Sequence, residues 1–309
     1  MSIPCRKVFS ETILEEAKKD ASIMVLCTDS RGSVMIGDFA DELPEQFVEV
    51  GIAEQNSIGI AAGLANIGFK PYVCGPACFL SMRSAEQIKV DLAYSHSNVK
   101  VIAISGGVSY GALGATHHSL QDIALLNAIP DIKIILPSDN YQTIMLTKEL
   151  LKEEGPVYLR MGRGAVPDIY QEGDSFQIGK ANVLMEGEDI GIIGAGETVY
   201  YCLEAGRKLK SGGIHATVAD LHTIKPIDKD TLHSITRKVK KLIVVEEHSI
   251  NGGLGSIISS LYSEDTAVTV RKLALPDTNM VTGSSNEIFK HYGLSVDNII
   301  KNVKELLKK

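Results

Sequence analysis

The sequence lacks the features that mark membrane proteins, nucleic-acid-binding proteins and secreted proteins. No apolar run in its 309 residues approaches the roughly 20 residues that span a bilayer. The formal net charge is −7, whereas binding to nucleic acid or to an anionic membrane surface requires a basic face. The first residues lead into an amphipathic pattern that contains acidic residues, which is not the pattern of a signal peptide. We therefore expect neither a membrane nor a nucleic acid as a partner.

Cysteine is scarce, and the number of cysteines is odd. Cys5, Cys27, Cys74, Cys78 and Cys202 lie in apolar settings, which is typical of reduced core residues in a cytoplasmic protein. Cys74 and Cys78 have a spacing that suggests half of a zinc site. No second pair and no nearby histidine completes a tetrahedral set of ligands, so the spacing favours two core residues.

Short β-branched runs alternate with helical patterns along the chain. Such runs indicate the buried strands of a parallel sheet that helices cover on both faces. Predicted strands are residues 22–28, 70–74, 99–104, 132–136, 157–159, 189–194, 214–219 and 241–245, and predicted helices are 84–94, 141–151, 198–210, 230–236 and 295–307. The segment 162–174, with glycine, proline and mixed charge, is the candidate linker. We predict an α/β protein of two domains, residues 1–170 and 180–309, each a mostly parallel sheet flanked by helices.

Glu54 is an acidic residue at a position where the hydrophobic pattern predicts none. It precedes residues 57–65, a stretch of small, almost uncharged residues that favours a buried helix packed closely against a neighbour. A carboxyl group at the start of such a helix lies in a dry environment and resists ionising. The simpler interpretation is a carboxylate that interacts with the helix dipole and with free backbone amides. The residues around Glu54 alone leave both interpretations open.

Glycine-rich segments follow several predicted strands. Residues 191–196 do not have the G-x-G-x-x-G spacing of a dinucleotide site, and residues 251–255, after His248, also favour a plain turn. A nucleotide-binding oxidoreductase is therefore a remote alternative.

Residues 105–124 differ from these turns, because their glycines let the backbone approach a ligand closely and two histidines follow. Guanidinium groups at the end of the strand 157–159 suit a phosphate or carboxylate, although a single exposed arginine more often forms a salt bridge.

In order along the chain, these motifs resemble the C-terminal half of transketolase. The resemblance covers nearly the whole sequence, as a pyrimidine-binding domain followed by a transketolase C-terminal domain. The matching segments are 29–33, 51–56, 83–88, 114–118, 122–124, 136–139 and 160–164. Deoxyxylulose-phosphate synthase and, more distantly, the β subunits of 2-oxo-acid dehydrogenases belong to the same group. The resemblance implies a transferase that depends on thiamine diphosphate.

The resemblance assigns cofactor contacts to several residues of the first domain. The family glutamate that matches Glu54 hydrogen-bonds N1′ of the aminopyrimidine and relays a proton to it, which explains a buried carboxyl group. Asp29 and His117 match cofactor-binding positions as well. An aromatic residue that usually stacks on the aminopyrimidine is replaced here by Leu80, with Phe79 adjacent. We therefore expect Phe79 or Leu80 to pack on the cofactor.

The resemblance also implies a site for a sugar phosphate. His117 matches a family histidine near the reacting end of the donor, and Arg163 matches an arginine that grips the phosphate. His118 accompanies His117, and Ser105 replaces a histidine that commonly contacts the phosphate. Leu113 replaces an acidic residue that reads a donor hydroxyl. These departures imply that the sugar differs from the usual xylulose 5-phosphate.

The diphosphate and metal site of the family is absent from the sequence. That site is a Gly-Asp-Gly followed by an asparagine on an N-terminal domain, and no Gly-Asp-Gly occurs here. The resemblance is thus to the β-type subunit of a split transketolase, active only with a partner subunit that supplies the Mg²⁺ and diphosphate ligands. We expect self-association of this chain as well, with an α2β2 heterotetramer as the arrangement.

The predicted function is transfer of a two-carbon ketol group between a ketose phosphate and an aldose phosphate, in the cytoplasm, as in the pentose phosphate reactions of carbohydrate metabolism. Glu54 and His117 are the predicted catalytic residues. Two alternatives remain at this point. One is the β-type subunit of another thiamine-diphosphate enzyme, for 2-oxo-acid decarboxylation or deoxyxylulose-phosphate-type synthesis. The other is a non-catalytic assembly paralogue.

Overall fold

The computed structural model describes residues 3–308 as two α/β units. The strands are β1 (Ile23–Cys27), β2 (Phe47–Glu49), β3 (Lys70–Pro76), β4 (Lys100–Ile104), β5 (Lys133–Ile135), β6 (Val157–Arg160), β7 (Asn182–Met185), β8 (Ile190–Gly194), β9 (Ala216–Asp220), β10 (Thr223–Lys225), β11 (Lys241–Ser249) and β12 (Thr269–Leu275). The helices are α1 (Cys5–Ala17), α2 (Arg31–Val34), α3 (Gly37–Glu42), α4 (Glu54–Asn66), α5 (Ala77–Arg83), α6 (Ala85–Gln87), α7 (Asp122–Asn127), α8 (Asn140–Leu150), α9 (Thr198–Ser211), α10 (Lys229–Lys238), α11 (Leu254–Leu261), α12 (Ser285–Tyr292) and α13 (Val296–Lys308).

The first sheet has the strand order β10-β5-β6-β4-β3-β1-β2. Every pair in it is parallel except β10 with β5. In a parallel sheet the carboxyl ends of the strands lie at one edge, where ligands bind in open α/β sheets. The segments after β1, β2, β3, β4 and β6 therefore share one edge, and they carry the residues that the sequence singles out.

The second sheet has the order β12-β11-β8-β9-β7 and is parallel except for β7 with β9. Helices α9 and α13 pack on one of its faces. The predicted fold class, two α/β domains with mostly parallel sheets flanked by helices, is confirmed. The predicted domain limits at residues 170 and 180 stay a prediction.

The two units share part of their hydrophobic core and one strand. A single cluster of buried residues includes Tyr158 and Leu136 of the first unit together with Ile193 and Ala219 of the second. Strand β10 follows β9 of the second unit but pairs with β5 at the edge of the first sheet. The contact between the units is therefore continuous packing rather than a loose linker.

Helix α4 is less buried than the sequence predicts. Its inner face packs Ile58 and Ala61 into the core, whereas Gly59 and Gly63 lie exposed on the opposite face. The inner face of α4 is therefore packed closely, as the sequence predicts, whereas its opposite face is open in a single chain. The predicted helix over 84–94 is also irregular, since Ile88–Tyr94 forms a π-helix after α6.

Within residues 3–308, no helix combines the length and the apolar character that crossing a membrane requires.

Candidate functional site

Glu54 lies at the first position of α4, directly after the loop that follows β2. Its side chain is buried, with 4% of its surface exposed. Arg83, at the end of α5, donates a hydrogen bond from Nη1 to Glu54 Oε1 over 2.9 Å. The burial of Glu54 agrees with the sequence prediction, and the guanidinium partner is an addition to it. Glu54 therefore has a positively charged partner within the chain.

An open concavity lies over Glu54. Residues 52–56 and Arg83 line it, and it holds about 830 Å³ of space not filled by atoms. Backbone, carboxyl and amide groups at the start of α4 form one wall, and the Arg83 guanidinium forms another. The concavity offers a flat heterocycle both hydrogen-bonding groups and room.

A row of side chains leads from Glu54 toward the loops after β4 and β6. The Arg83 guanidinium lies over the Phe79 ring, with Cζ 4.3 Å from the ring centroid. The His117 ring meets Phe79 edge-on at 5.3 Å between centroids and meets Tyr110 edge-on at 5.6 Å. Arg163 closes the row, with Cζ 4.8 Å from the Tyr110 centroid. The row brings together residues from four separate segments of the first unit.

The end of the row at Arg163 is rich in positive charge. Arg6, from α1, donates from Nε to the Arg163 carbonyl over 3.2 Å and from Nη1 to the Ser33 carbonyl. Burial and the neighbouring charge of Arg163 lower the pKa of Arg6. Arg163 Nη1 is buried without a hydrogen-bond partner. Two guanidinium groups held this close, one of them with a free donor, suit an anion.

This charged end opens into a second concavity of about 1100 Å³. Arg6, Tyr110, Arg163 and Ser284 are among its lining residues, so the second unit contributes to its wall. Tyr110 Oη donates to Ser33 Oγ over 2.9 Å, which fixes the phenol ring between His117 and Arg163.

His117 and His118 have different surroundings. His117 is half-buried within the row, and its Nδ1 lies 3.0 Å from Thr116 Oγ1. His118 is buried, and neither of its ring nitrogens has a hydrogen-bond partner. Burial lowers the pKa of His118 below its usual range. His117 is therefore the histidine that a ligand in the row can reach.

Besides His118, three predicted residues lie outside the row. Leu80 and Ser105 are completely buried, so neither presents surface to a ligand in this conformation. The Leu80 side chain points from α5 into the core, while the adjacent Phe79 points into the row. Asp29 is exposed in the loop after β1, with a left-handed φ of 53°, and its backbone amide donates to Glu49.

Sequence reasoning did not assign roles to Arg6, Arg83 and Tyr110. Arg83 belongs to a recognised motif, and Tyr110 belongs to the glycine-rich segment, so both carried a signal. Arg6 carried none, because it meets Arg163 across 157 positions of sequence. In residues 3–308, no group of three or more histidine, cysteine, aspartate or glutamate side chains has the geometry of a metal site.

Two family models match the chain. Residues 1–168 match the model described as "Transketolase, pyrimidine binding domain", and residues 179–299 match "Transketolase, C-terminal domain".

Curated proteins with similar sequences carry transketolase names. The chain is 54% identical to the B subunit of apulose-4-phosphate transketolase from Phocaeicola vulgatus, covering 99% of this chain and 98% of the relative. It is 39% identical to a putative transketolase C-terminal section of Methanocaldococcus jannaschii, covering 98% and 96%. It is 31% identical to the SqwH subunit of 6-deoxy-6-sulfo-D-fructose transketolase from Clostridium sp., covering 98% and 94%.

Solved structures show the same fold. A structure described as "Split gene transketolase, inactive beta4 tetramer" has a TM-score of 0.90 and 34% identity, with 99% of each chain covered. A transketolase from Pichia stipitis in complex with sedoheptulose-7-phosphate has a TM-score of 0.84 at 20% identity, and 46% of that longer chain is covered.

Proposed function

The chain belongs to the transketolase family, whose members depend on thiamine diphosphate, and from that premise we propose that it is the β-type subunit of a split transketolase. The proposed reaction is transfer of a two-carbon ketol group from a ketose phosphate to an aldose phosphate. The observation that carries the proposal is the row from Glu54 to Arg163. It joins a buried carboxyl group at one end to two guanidinium groups at the other, with an imidazole between them.

The residues around Glu54 fit the pyrimidine end of thiamine diphosphate. A buried carboxyl group faces an open concavity, and the Phe79 ring, which is not part of the core, lies against Arg83 in the wall of that concavity. When bound, this cofactor supplies a carbanion and an electron sink for two-carbon transfer. In the proposal Glu54 holds or shares a proton at N1′ of the aminopyrimidine, and Phe79 rather than Leu80 packs on the ring.

The other end of the row fits a sugar phosphate. Arg163 and Arg6 bind the phosphate, because Arg163 Nη1 has no partner within the chain and the two positive charges gain from an anion between them. His117 then lies between the phosphate and the cofactor end. There it stabilises the negative charge that develops on the reacting carbonyl oxygen, or transfers a proton to that oxygen. This charge pattern favours a phosphorylated sugar over a 2-oxo acid such as pyruvate.

A partner subunit completes the site in this proposal. The sequence has no Gly-Asp-Gly, so the diphosphate and Mg²⁺ ligands come from an N-terminal-half subunit. Two similar proteins are named as B subunits of a transketolase, and a structure of similar sequence is titled an inactive tetramer of β chains. These names support a chain that is inactive without its partner. The five free, buried cysteines support a cytoplasmic location.

The decisive experiment combines this chain with its N-terminal-half partner, thiamine diphosphate, Mg²⁺ and a ketose phosphate. We expect an aldose phosphate product, and we expect Glu54→Gln to lower kcat on the order of 100-fold or more, because proton transfer by a positioned group contributes that much. Glu45→Gln, at an exposed acidic residue nearby in the chain, is the matched control and should leave kcat unchanged.

Three outcomes would contradict the proposal. A Glu54→Gln complex as fast as the wild type removes the proton relay. A complex that accepts pyruvate and ignores ketose phosphates points to 2-oxo-acid decarboxylation. An assembled complex that does not bind thiamine diphosphate in a titration points to a non-catalytic assembly paralogue.

Self-association through α4 is the second part of the proposal, with an α2β2 complex as the result. The exposed face of α4 carries Gly59 and Gly63, and Ile52 and Ile67 at its two ends are 74% and 73% exposed. Met82 of α5 and Val90 and Tyr94 of the π-helix extend this apolar surface, because α5 and the π-helix pack beside α4. A smooth glycine face with apolar surroundings suits close helix contact with a second copy.

Gly63→Leu tests this surface. A Cβ at Gly63 meets no atom within 4 Å, so the chain itself accommodates the side chain, and a helical glycine is replaced by a better helix former. We expect the assembled complex to fall to αβ in sedimentation experiments, since the leucine separates the two helices. Gly37→Leu, at a helical glycine with equally open surroundings on α3, is the control and should leave the mass unchanged. An unchanged mass for Gly63→Leu would rule out this face.

A further inference from the structure

Glu247 of the second unit reaches into the first unit at the base of the loop that carries His117. It lies near the end of β11 and is buried, with 7% of its surface exposed. Its Oε1 accepts a hydrogen bond from the Val108 backbone amide over 2.7 Å. A Cβ added at Gly107 would lie 2.1 Å from Glu247 Cδ, so the carboxyl group packs directly against the loop backbone. The position also has a φ of +61°, which disfavours any residue but glycine.

The loop is closed at the point where Glu247 contacts it. Gly107 and Ser119 exchange two backbone hydrogen bonds, of 3.0 and 2.7 Å, so residues 108–118 form one closed excursion. His117 and Tyr110 both lie on this excursion. A shift at Gly107 or Val108 is therefore transmitted to the side chains at the centre of the row.

Arg160 joins Glu247 to the other side of the closure. Its guanidinium is buried and forms an ion pair with Asp122 at 2.9 Å. Its Nη2 donates to the Ser119 carbonyl over 3.3 Å and to the Glu247 carbonyl over 2.9 Å. The base of the loop is thus held between β6 of the first unit and β11 of the second by buried polar contacts.

We propose that Glu247 is a positioning residue: by accepting the Val108 amide it fixes the closed loop 107–119 and, through that loop, the place of His117. The effect on the reaction rests on the proposed function. With this role for Glu247, the second unit helps to arrange the reacting end of the site, although Glu247 itself does not contact the row. A buried acceptor for a single backbone amide is sensitive to removal, because the unpaired amide is left without water.

The experiment compares Glu247→Met, Glu247→Gln and Glu246→Met in the full chain assembled with its partner. Methionine keeps the size of the side chain but cannot accept the Val108 amide, whereas the glutamine carbonyl oxygen can. Glu246 is the matched control, since it is also buried on the same strand but accepts only the Leu254 and Gly255 amides of its own unit.

We expect Glu247→Met to lower kcat on the order of 10- to 100-fold, because small displacements of a catalytic group cost this much. KM for the sugar phosphate should change less than kcat, because Arg6 and Arg163 lie on other segments and only Tyr110 of the loop contacts Arg163. Glu247→Gln should have a kcat within about threefold of the wild-type value, and so should Glu246→Met. Wild-type kcat in Glu247→Met, or equal losses in Glu247→Gln and Glu247→Met, would overturn the proposal.

Hydrogen exchange gives a readout that does not depend on activity, and its first measurement needs only the wild-type protein. In the wild type, the Val108 amide should exchange much more slowly than the amides of the exposed residues within 112–116 of the same loop. Residues 107–119 should exchange faster in Glu247→Met and unchanged in Glu246→Met. A fast Val108 amide in the wild type would overturn the proposal. An inactive wild-type complex with a protected Val108 would instead count against the proposed function alone.

Discussion

Phe79 and Leu80 show how one residue of difference on a helix decides between core and site. Successive residues of a helix point about 100° apart, so two neighbours seldom share an environment. Leu80 has no exposed surface, whereas Phe79 lies between Arg83 and His117. The sequence offered both residues as partners of the cofactor ring, because a motif match gives a position and not the rotation of the helix.

Phe79→Ala and Leu80→Ala should therefore fail in different ways. Loss of the Phe79 ring removes its contacts with Arg83 and His117, and we expect thiamine diphosphate to bind on the order of tenfold more weakly to the assembled complex. Loss of the buried Leu80 side chain should lower the free energy of unfolding by about 2–5 kcal/mol, as cavity-forming substitutions do. Cofactor titration and urea unfolding measure the two effects. The reverse pattern, with the binding loss confined to Leu80→Ala, would contradict this assignment.

At the scale of elements, the sequence predicts the central strands and misses the strands at the sheet edges. Strands such as β4 and β8 are buried along their whole length, so their residues form an uninterrupted apolar run. β7 and β12 are partly exposed edge strands, and their mixed composition gave no such run. β10 has three residues and depends on a partner strand nearly 90 positions away in sequence. Pairings of this kind leave no local pattern.

The same limit applies to the candidate site. Glu54, His117 and Arg163 lie in motifs that the sequence displays, and the structure brings them into one row. Arg6 completes the charged end only through the fold, because its contacts join α1 to the segment after β6. The buried Ser105 shows the converse, since its backbone position matched a ligand position while its side chain faces inward.

A buried ion pair holds the junction of β6 and α7, and its removal should lower the free energy of unfolding. Asp122 accepts hydrogen bonds from Tyr158 Oη and from the Ile123 amide, and it pairs with Arg160. Asp122→Ala leaves the Arg160 charge buried without its counter-ion. We expect a loss of about 3–5 kcal/mol in the free energy of unfolding, measured with denaturant.

Two further variants isolate this ion pair. Asp122→Ala combined with Arg160→Met should recover part of the loss, because no unpaired charge remains buried. Asp38→Ala removes the exposed partner of Lys7 and should cost less than about 1 kcal/mol. A double variant less stable than Asp122→Ala would show that the ion pair is not the source of the cost.

At the scale of the whole molecule, a buried carboxyl group joins the two units. Asp220, at the end of β9, accepts hydrogen bonds at Oδ2 from Gln142 Nε2 at 2.9 Å, Tyr170 Oη at 2.8 Å and Ser138 Oγ at 3.2 Å. These donors come from α8, from the segment between the units and from the loop before α8. Asp220 Oδ1 has no partner. Burial raises the pKa of Asp220 to about 7, even though these hydrogen bonds act in the opposite direction.

This raised pKa makes the contact between the units depend on pH. The folded chain holds a proton on Asp220 up to about pH 7, while the unfolded chain releases it near the ordinary aspartate pKa of 3.8. The stabilisation due to Asp220 is therefore complete below about pH 4 and is lost as pH rises toward 7. An asparagine at this position would have no proton to lose, and its amide oxygen can accept the same donors.

Asp220→Asn should therefore gain stability relative to the wild type as pH rises from 4 to 7, and hold that gain above pH 7. We expect the difference in unfolding free energy to change by up to roughly 4 kcal/mol across this window. Urea unfolding at a series of pH values measures this change.

Because Glu197, Glu246 and Glu247 also have raised pKa values, only the difference between variant and wild type isolates Asp220. Asp277→Asn, at an exposed aspartate, is the control and should give a constant difference. If the Asp220→Asn difference is equally constant with pH, the carboxyl group is not protonated at the junction of the two units.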